Sequence, residues 1–237
     1  MGSMLARVPE PEIMVYEEEM EYIRYNSIIL RNRHPLVSLF ADLCPGFPGS
    51  SSVRALDIGC GVANMSVEFA KTYPELKVVG VDASENMLRH AYALTKALGY
   101  DDRVSVRYAR VPEDDFGEPD SSFDLVFTRS TLHQFADPEC FWETVRRYAK
   151  PDAAVFIVDL LRPYDLASLE AFVWQRFGDK FGSLRSTFTS SLLASYTENE
   201  MVSQLVEAGL DGFEVSAFPE GTHATIWRHG RFGGVCT

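Results

Sequence analysis

The chain has 237 residues, 46% hydrophobic and 24% charged, with a formal net charge of −12. That length suits one α/β domain with a cap, and the acidic balance, with no basic run beyond pairs such as Arg146-Arg147, argues against a nucleic-acid partner. The longest apolar run, 153–161, is broken by Asp159 and too short for a membrane span, while Cys44, Cys60, Cys140 and Cys236 form no CxxC pair, so a cytoplasmic protein with reduced thiols and no metal is expected.

Residues 4–15 are polar and carry Pro9 and Pro11. From Tyr16 to Leu30, Met20, Ile23, Ser27 and Leu30 fall at helical spacing, with Tyr16, Tyr22 and Tyr25 on the same stretch. Pro35 opens a short helical pattern that ends near Cys44, before the loop 45–50. Residues 1–50 therefore read as an N-terminal helical cap or lid on a domain formed by 51–237.

Residues 53–58 read as a strand that runs through Asp57 into Gly59-Cys60-Gly61, followed by a helix from Val62 to about Tyr73. A second strand, 77–82, again ends in an acid, Asp82. Ser84 is a suitable N-cap for a helix whose stripe is Met87, Leu88, Ala91, Leu94, Thr95 and Leu98, stopped at Gly99. Residues 104–108 alternate as a third strand and 123–128 form a fourth. Asp137 and Pro138 start a helix to about Lys150, and 154–159, nearly all apolar, is a fifth strand covered on both faces. Short loops between these alternating elements imply right-handed βαβ units and a Rossmann-like parallel sheet. Beyond it, a helix is expected over about 166–177, and Thr197 with Glu200 makes a capping box for a helix ending at Gly209. Residues 213–217 and 223–227 read as a hairpin.

Gly59 and Gly61 allow a sharp turn and close approach of a ligand, and the following helix presents unpaired N–H groups to an anion. Asp57 adds an acceptor for an amine or hydroxyl. In open parallel sheets the ligand lies beyond the carboxyl ends of the strands, where Asp57, Asp82, residues 128–133 and Asp159 all fall. A carboxylate at Asp82 suits the two hydroxyls of a ribose. A dinucleotide fingerprint would need a third glycine where Asn64 stands, and Asp57 would repel a pyrophosphate, which favours a ligand with an ammonium group.

The chain from about Pro9 to Trp227 resembles the class I S-adenosylmethionine-dependent methyltransferases. The resemblance rests on Leu56-Asp57-Ile58-Gly59-Cys60-Gly61, Gly80-Val81-Asp82-Ala83-Ser84-Glu85-Asn86-Met87 and Ser122-Phe123-Asp124-Leu125-Val126-Phe127. Thr131-Leu132-His133-Gln134-Phe135-Ala136-Asp137-Pro138 and Lys150-Pro151-Asp152-Ala153 continue it in order. It implies a seven-stranded sheet with the last strand antiparallel, and S-adenosylmethionine as cofactor. Gly59, Cys60 and Gly61 would hold the methionine part, Asp57 its ammonium, Asp82 the ribose, and Ala83 and Met87 the border of the adenine. Thr128 and Arg129 complete the cofactor set. Arg110 stands where the family often has an acid for the adenine amino group; it can stack on a purine but cannot accept a hydrogen bond. That leaves backbone near Val111, or Glu113 or Asp114, to read the adenine. Ala63 replaces the third glycine of the first motif.

His133 is the candidate general base, or else a residue that shapes the substrate site. Asp159 and Arg162 either bind a polar substrate or pair with each other. Tyr16 and Tyr25, with Arg24, would close over the site. Phe172, Trp174, Phe177, Phe181 and Phe188 suggest an aromatic pocket or a core. The expected activity is methyl transfer to a small molecule by in-line displacement. The alternatives are a cofactor-binding protein that transfers no methyl group, and a nicotinamide-dependent oxidoreductase. The acceptor atom and the oligomeric state are left open.

Overall fold

Apolar strands that end at one edge and amphipathic helices that cover both faces fix the architecture. A computed structural model describes residues 4–9, 19–24, 35–49, 52–179 and 182–230. Its strands are β1 (Val53–Ile58), β2 (Leu76–Asp82), β3 (Val104–Tyr108), β4 (Phe123–Arg129), β5 (Ala149–Leu160), β6 (Glu214–Ala217) and β7 (His223–Arg228). They form one seven-stranded sheet in the order β3-β2-β1-β4-β5-β7-β6. β3 through β5 are parallel, and β7 is antiparallel to both of its neighbours. The last strand thus inserts beside β5 and leaves β6 at the edge.

This insertion matters for the site. Because β7 runs backwards, its first residue, His223, pairs with Leu160 at the carboxyl end of β5. The start of one strand therefore meets the ends of the parallel ones, where Rossmann-like sheets bind their ligands.

On one face Phe141, Trp142, Val145, Met201 and Leu205 pack on the sheet. The other face carries Phe40, Phe69, Phe127 and Phe156, with Phe69 and Phe127 ring centroids 4.4 Å apart. The helices Pro138–Tyr148 and Glu198–Glu207 cover the first face through those side chains. Pro35–Leu43 and Asn64–Thr72 cover the second. The expected caps form: Ser84 accepts from Met87, Asp137 from Glu139, and Thr197 and Glu200 close a capping box.

A helix at Gly182–Ala194 follows Leu166–Phe177 and had no signal in the sequence. Its Ser- and Thr-rich residues show little amphipathic period. It is held by tertiary packing, with Leu192, Phe188 and Leu193 joining Leu160, Leu169 and Val173 in a satellite cluster. Together these two helices roof the carboxyl end of β5. Residues 4–9 run along this roof, Leu5 N–H donating to Tyr164 C=O and Val8 N–H to Leu193 C=O, each at 3.0 Å. Residues 19–24 are helical, as the spacing of the N-terminal stretch requires. Tyr16, Tyr25 and Phe181 lie outside the described residues. Among the described residues no helix is long and apolar enough to cross a membrane.

Candidate active site

The glycine loop is built by backbone conformation first. Gly59 and Gly61 have φ of 67° and 53°, the left-handed region that residues with a Cβ avoid. Gly59 and Cys60 N–H groups donate to Val81 C=O at 2.8 and 3.0 Å, which ties the loop to β2. A Cβ on Gly59 would lie 2.4 Å from Thr131 Cγ2 and Oγ1. Gly59→Ala is therefore expected to cost more than ~2 kcal/mol by clash and strain together, read as a lowered midpoint in urea unfolding. At Gly61 the space beyond Cα is open within 4 Å, as a loop that admits a ligand requires. Ala63 also sits at φ 60°, so the replacement of the third glycine carries ~1 kcal/mol of strain.

Asp82 joins the two loops. Its Oδ2 accepts from Gly61 N–H and its Oδ1 from Ser84 N–H, both at 2.8 Å. Burial raises its carboxyl above the usual range against these bonds. Asp57 is 2% exposed and its Oδ2 accepts from Ser66 Oγ at 2.6 Å. Burial pushes its carboxyl up to about 8, with Asp82 adding to the rise and Ser66 opposing it. An uncompensated carboxyl at this position is a site for a cation. The Cys60 thiol, buried and beside Asp82 and Asp57, is driven well above its ordinary value and stays protonated. Its bulk fits against Gly80, where a Cβ would come 2.8 Å from its Sγ.

Across the cavity, a 3-10 turn at Leu132–Gln134 carries His133. Asp159 organises the turn: Oδ2 accepts from Thr131 and Leu132 N–H at 2.9 and 2.6 Å, and Oδ1 meets His133 Nδ1 at 2.5 Å. Burial would raise the Asp159 carboxyl, but the charge and hydrogen bond of His133 with the backbone donors hold it below its ordinary value. Removing the carboxylate in Asp159→Ala leaves buried N–H groups unpaired, and about 3–5 kcal/mol of stability is expected to go with it. Calorimetric melting checks this. Arg7 braces the turn from outside, donating to the carbonyls of His133 and Phe135 at 3.2 and 2.9 Å and lying 4.1 Å over the Tyr196 ring.

These parts line one cavity of about 230 Å³. Asp57, Gly59, Cys60, Gly61, Asp82, Ala83, Met87, Arg110, Val111, Arg129 and His133, all expected from the sequence, lie on its wall. Phe177 and Phe188 line it too, whereas Trp174 is 61% exposed and Phe172 packs in the satellite cluster. Near Arg110, the Asp114 carboxylate accepts from Arg110 N–H at 2.8 Å, which holds the turn.

Three expected site residues stand elsewhere. Thr128 is fully buried and donates to Ile58 C=O at 2.5 Å, so it locks β4 to β1. Asp159 faces the His133 turn rather than the cavity, and does not pair with Arg162. Arg162 instead donates to Ser195 C=O at 3.1 Å and to Glu200 at 2.6 Å, and lines a separate shallow cleft.

The cavity also draws on residues that the sequence did not single out: Glu19, Thr131, Arg176 and His223. Glu19 accepts from Ser84 Oγ at 2.5 Å and from Asn86 Nδ2 at 2.8 Å, which seats the 19–24 helix over the Asp82 loop. Burial, then the charge of Arg129, lowers the His223 imidazole to about 4, so it is neutral at pH 7. A polar first residue on an antiparallel strand beside β5 was the available signal for His223.

A family model described as a methyltransferase domain matches residues 49–199. The chain belongs to the class I S-adenosylmethionine-dependent methyltransferase family. A phosphoethanolamine N-methyltransferase of Arabidopsis thaliana is 31% identical over 117 residues, which is 49% of this chain and 23% of that protein. A demethylmenaquinone methyltransferase of Geobacillus kaustophilus is 27% identical over 220 residues, 86% of this chain and 89% of that protein. The crystal structure of a SAM dependent methyltransferase from Aquifex aeolicus superposes with a TM-score of 0.53 at 22% identity, covering 76% of this chain and 84% of that one. This likeness is one of fold. The chain spans about a quarter of the length of the plant phosphoethanolamine N-methyltransferases it matches.

Proposed function

We propose that the chain transfers the methyl group of S-adenosylmethionine to a small-molecule acceptor by in-line displacement. The observation that carries this reading is a cavity in which the Gly59–Gly61 loop and Asp82 face His133, which Asp159 holds from behind. Gly59, Cys60 and Gly61 bind the methionine part of the cofactor, and Asp57, protonated when alone, ionises against its ammonium. Asp82 keeps a lone pair on each oxygen beyond its backbone bonds, enough to accept the ribose hydroxyls. Ala83, Met87, Arg110 and Val111 border the adenine. Glu19 and Tyr22 line the cavity from the 19–24 helix, which supports a lid around that helix, with Tyr16 and Tyr25 beside it in sequence, whereas Pro35–Leu43 belongs to the core layer.

The sulfonium supplies the electrophile, so the protein's task is to orient the acceptor, a contribution of up to about 7–11 kcal/mol in favourable cases. An acceptor atom attacks the methyl carbon as the carbon–sulfur bond breaks. If that atom carries a proton, His133 receives it at Nε2 while Asp159 fixes the ring through Nδ1. The relatives named above act on phosphoethanolamine and demethylmenaquinone, and both fit a small-molecule acceptor here. Product analysis tests the proposal with a panel of amine, phenol and quinol acceptors. Formation of S-adenosylhomocysteine with one methyl added per turnover supports it. Cofactor binding with a rearranged acceptor and no S-adenosylhomocysteine would favour a scaffold role instead.

A further inference from the structure

Apart from Arg110, which stands at the Asp82 end, the charges in the cavity are segregated. Glu19, Asp57 and Asp82 gather at the ends of β1 and β2, where Glu19 and Asp82 are engaged by the loops they hold. At the other end, Arg129 closes β4, Arg176 lies in the last turn of the Leu166–Phe177 helix, and His223 opens β7. Among the described residues Arg129 has no ion pair and no side-chain hydrogen bond, although it is partly buried on the cavity wall. A half-buried guanidinium without a carboxylate is costly to keep unless something anionic completes it. Leu160, Phe177, Leu184 and Phe188 supply an apolar wall around this end.

We infer that Arg129, Arg176 and His223 form an anion subsite for the acceptor, which is an apolar or aromatic molecule bearing a carboxylate or phosphate. The inference rests on the methyl-transfer reading of the cavity and names the class of substrate that it takes. The guanidinium fork of Arg129 meets two oxygens of the anion. Arg176, exposed at the rim, draws the ligand in. Burial, then the charges of Arg129 and Arg176, disfavour protonation of His223, against Asp159 and Glu220, so its imidazole meets the anion as a neutral donor. The cofactor also has a carboxylate, but the charge of Arg129 acts on His223 at the start of β7, whereas the N–H groups that open the Asn64–Thr72 helix adjoin the Gly61 loop and suit that carboxylate.

Calorimetric titration separates the two sources of anion. Benzoate, phenyl phosphate and neutral benzyl alcohol are titrated into the protein with and without saturating S-adenosylhomocysteine. The anions are expected to bind, and benzyl alcohol roughly ten-fold more weakly or not at all. Against the resemblance, which places Arg129 in the cofactor set, Arg129→Gln should lose roughly ten-fold or more in anion affinity and far less in affinity for S-adenosylhomocysteine. Arg176→Gln, at an exposed position, repeats the test with a several-fold loss should Arg129→Gln fail to fold. Equal binding of benzyl alcohol, or no binding of either anion, would overturn the inference. So would an Arg129→Gln variant that loses S-adenosylhomocysteine and keeps the anions. Failure of the wild type to bind S-adenosylhomocysteine, with the anions still bound, would count against methyl transfer and leave the anion subsite standing.

Discussion

Asp57→Asn is expected to weaken cofactor binding by about 10²-fold or more while making the ligand-free protein more stable at pH 7. Both effects have one cause. The Asp57 carboxyl, buried and accepting only from Ser66 among its hydrogen-bond donors, is raised to about 8. An acid whose folded value is raised contributes stability that is present below its unfolded value near 4 and is lost as pH rises towards 8. At pH 7 the loss is on the order of 4 kcal/mol before local relaxation. Asparagine keeps an acceptor for Ser66 and removes the titration, so its gain in melting temperature over wild type should grow from about pH 4 and level off above pH 8. The cofactor's ammonium achieves the same relief by ionising Asp57, and binding below pH 8 should release a proton. Titration in buffers of different ionisation enthalpy measures that release. An Asp57→Asn variant that binds as tightly as wild type would remove Asp57 from the site.

The second large effect is on rate. His133→Ala should lower kcat by about 10²–10⁴-fold if the imidazole takes a proton from the acceptor, with S-adenosylhomocysteine affinity unchanged. The geometry favours this role because Asp159, kept ionised by His133 and the backbone donors, fixes the ring through Nδ1. The limb of the pH–rate profile that His133 causes should vanish in the variant. A small loss of rate with the profile intact would assign His133 to shaping the substrate site alone.

The loops proposed to hold the cofactor were legible in the sequence because their geometry is local. Two acids at strand ends, a glycine turn, and Ser84 as a cap lie within about thirty residues, and each has a single-residue physical reason. The rest of the cavity was less legible, including Thr128 and Arg129, expected in the cofactor set. Thr128 and Arg129 are neighbours at the end of β4, yet the two-residue period of a strand sends one into the sheet and the other into the cavity. Asp159 and Arg162 fell at the right edge but on the wrong sides, since only the fold shows that the His133 turn consumes Asp159. The Gly182–Ala194 helix has weak period, and what holds it is far away in the chain: Glu21 accepts from Leu184 N–H in its first turn, and Leu160 and Leu169 pack against it. His223 reaches the site only because β7 runs against its neighbours.

If the cavity at the Gly59–Gly61 loop holds S-adenosylmethionine, a calorimetric titration of the protein with that cofactor detects it. The structure leads to one cofactor bound per chain, with a proton released below pH 8 and both signals lost in Asp57→Asn. Absence of binding by the wild type at millimolar cofactor would contradict it.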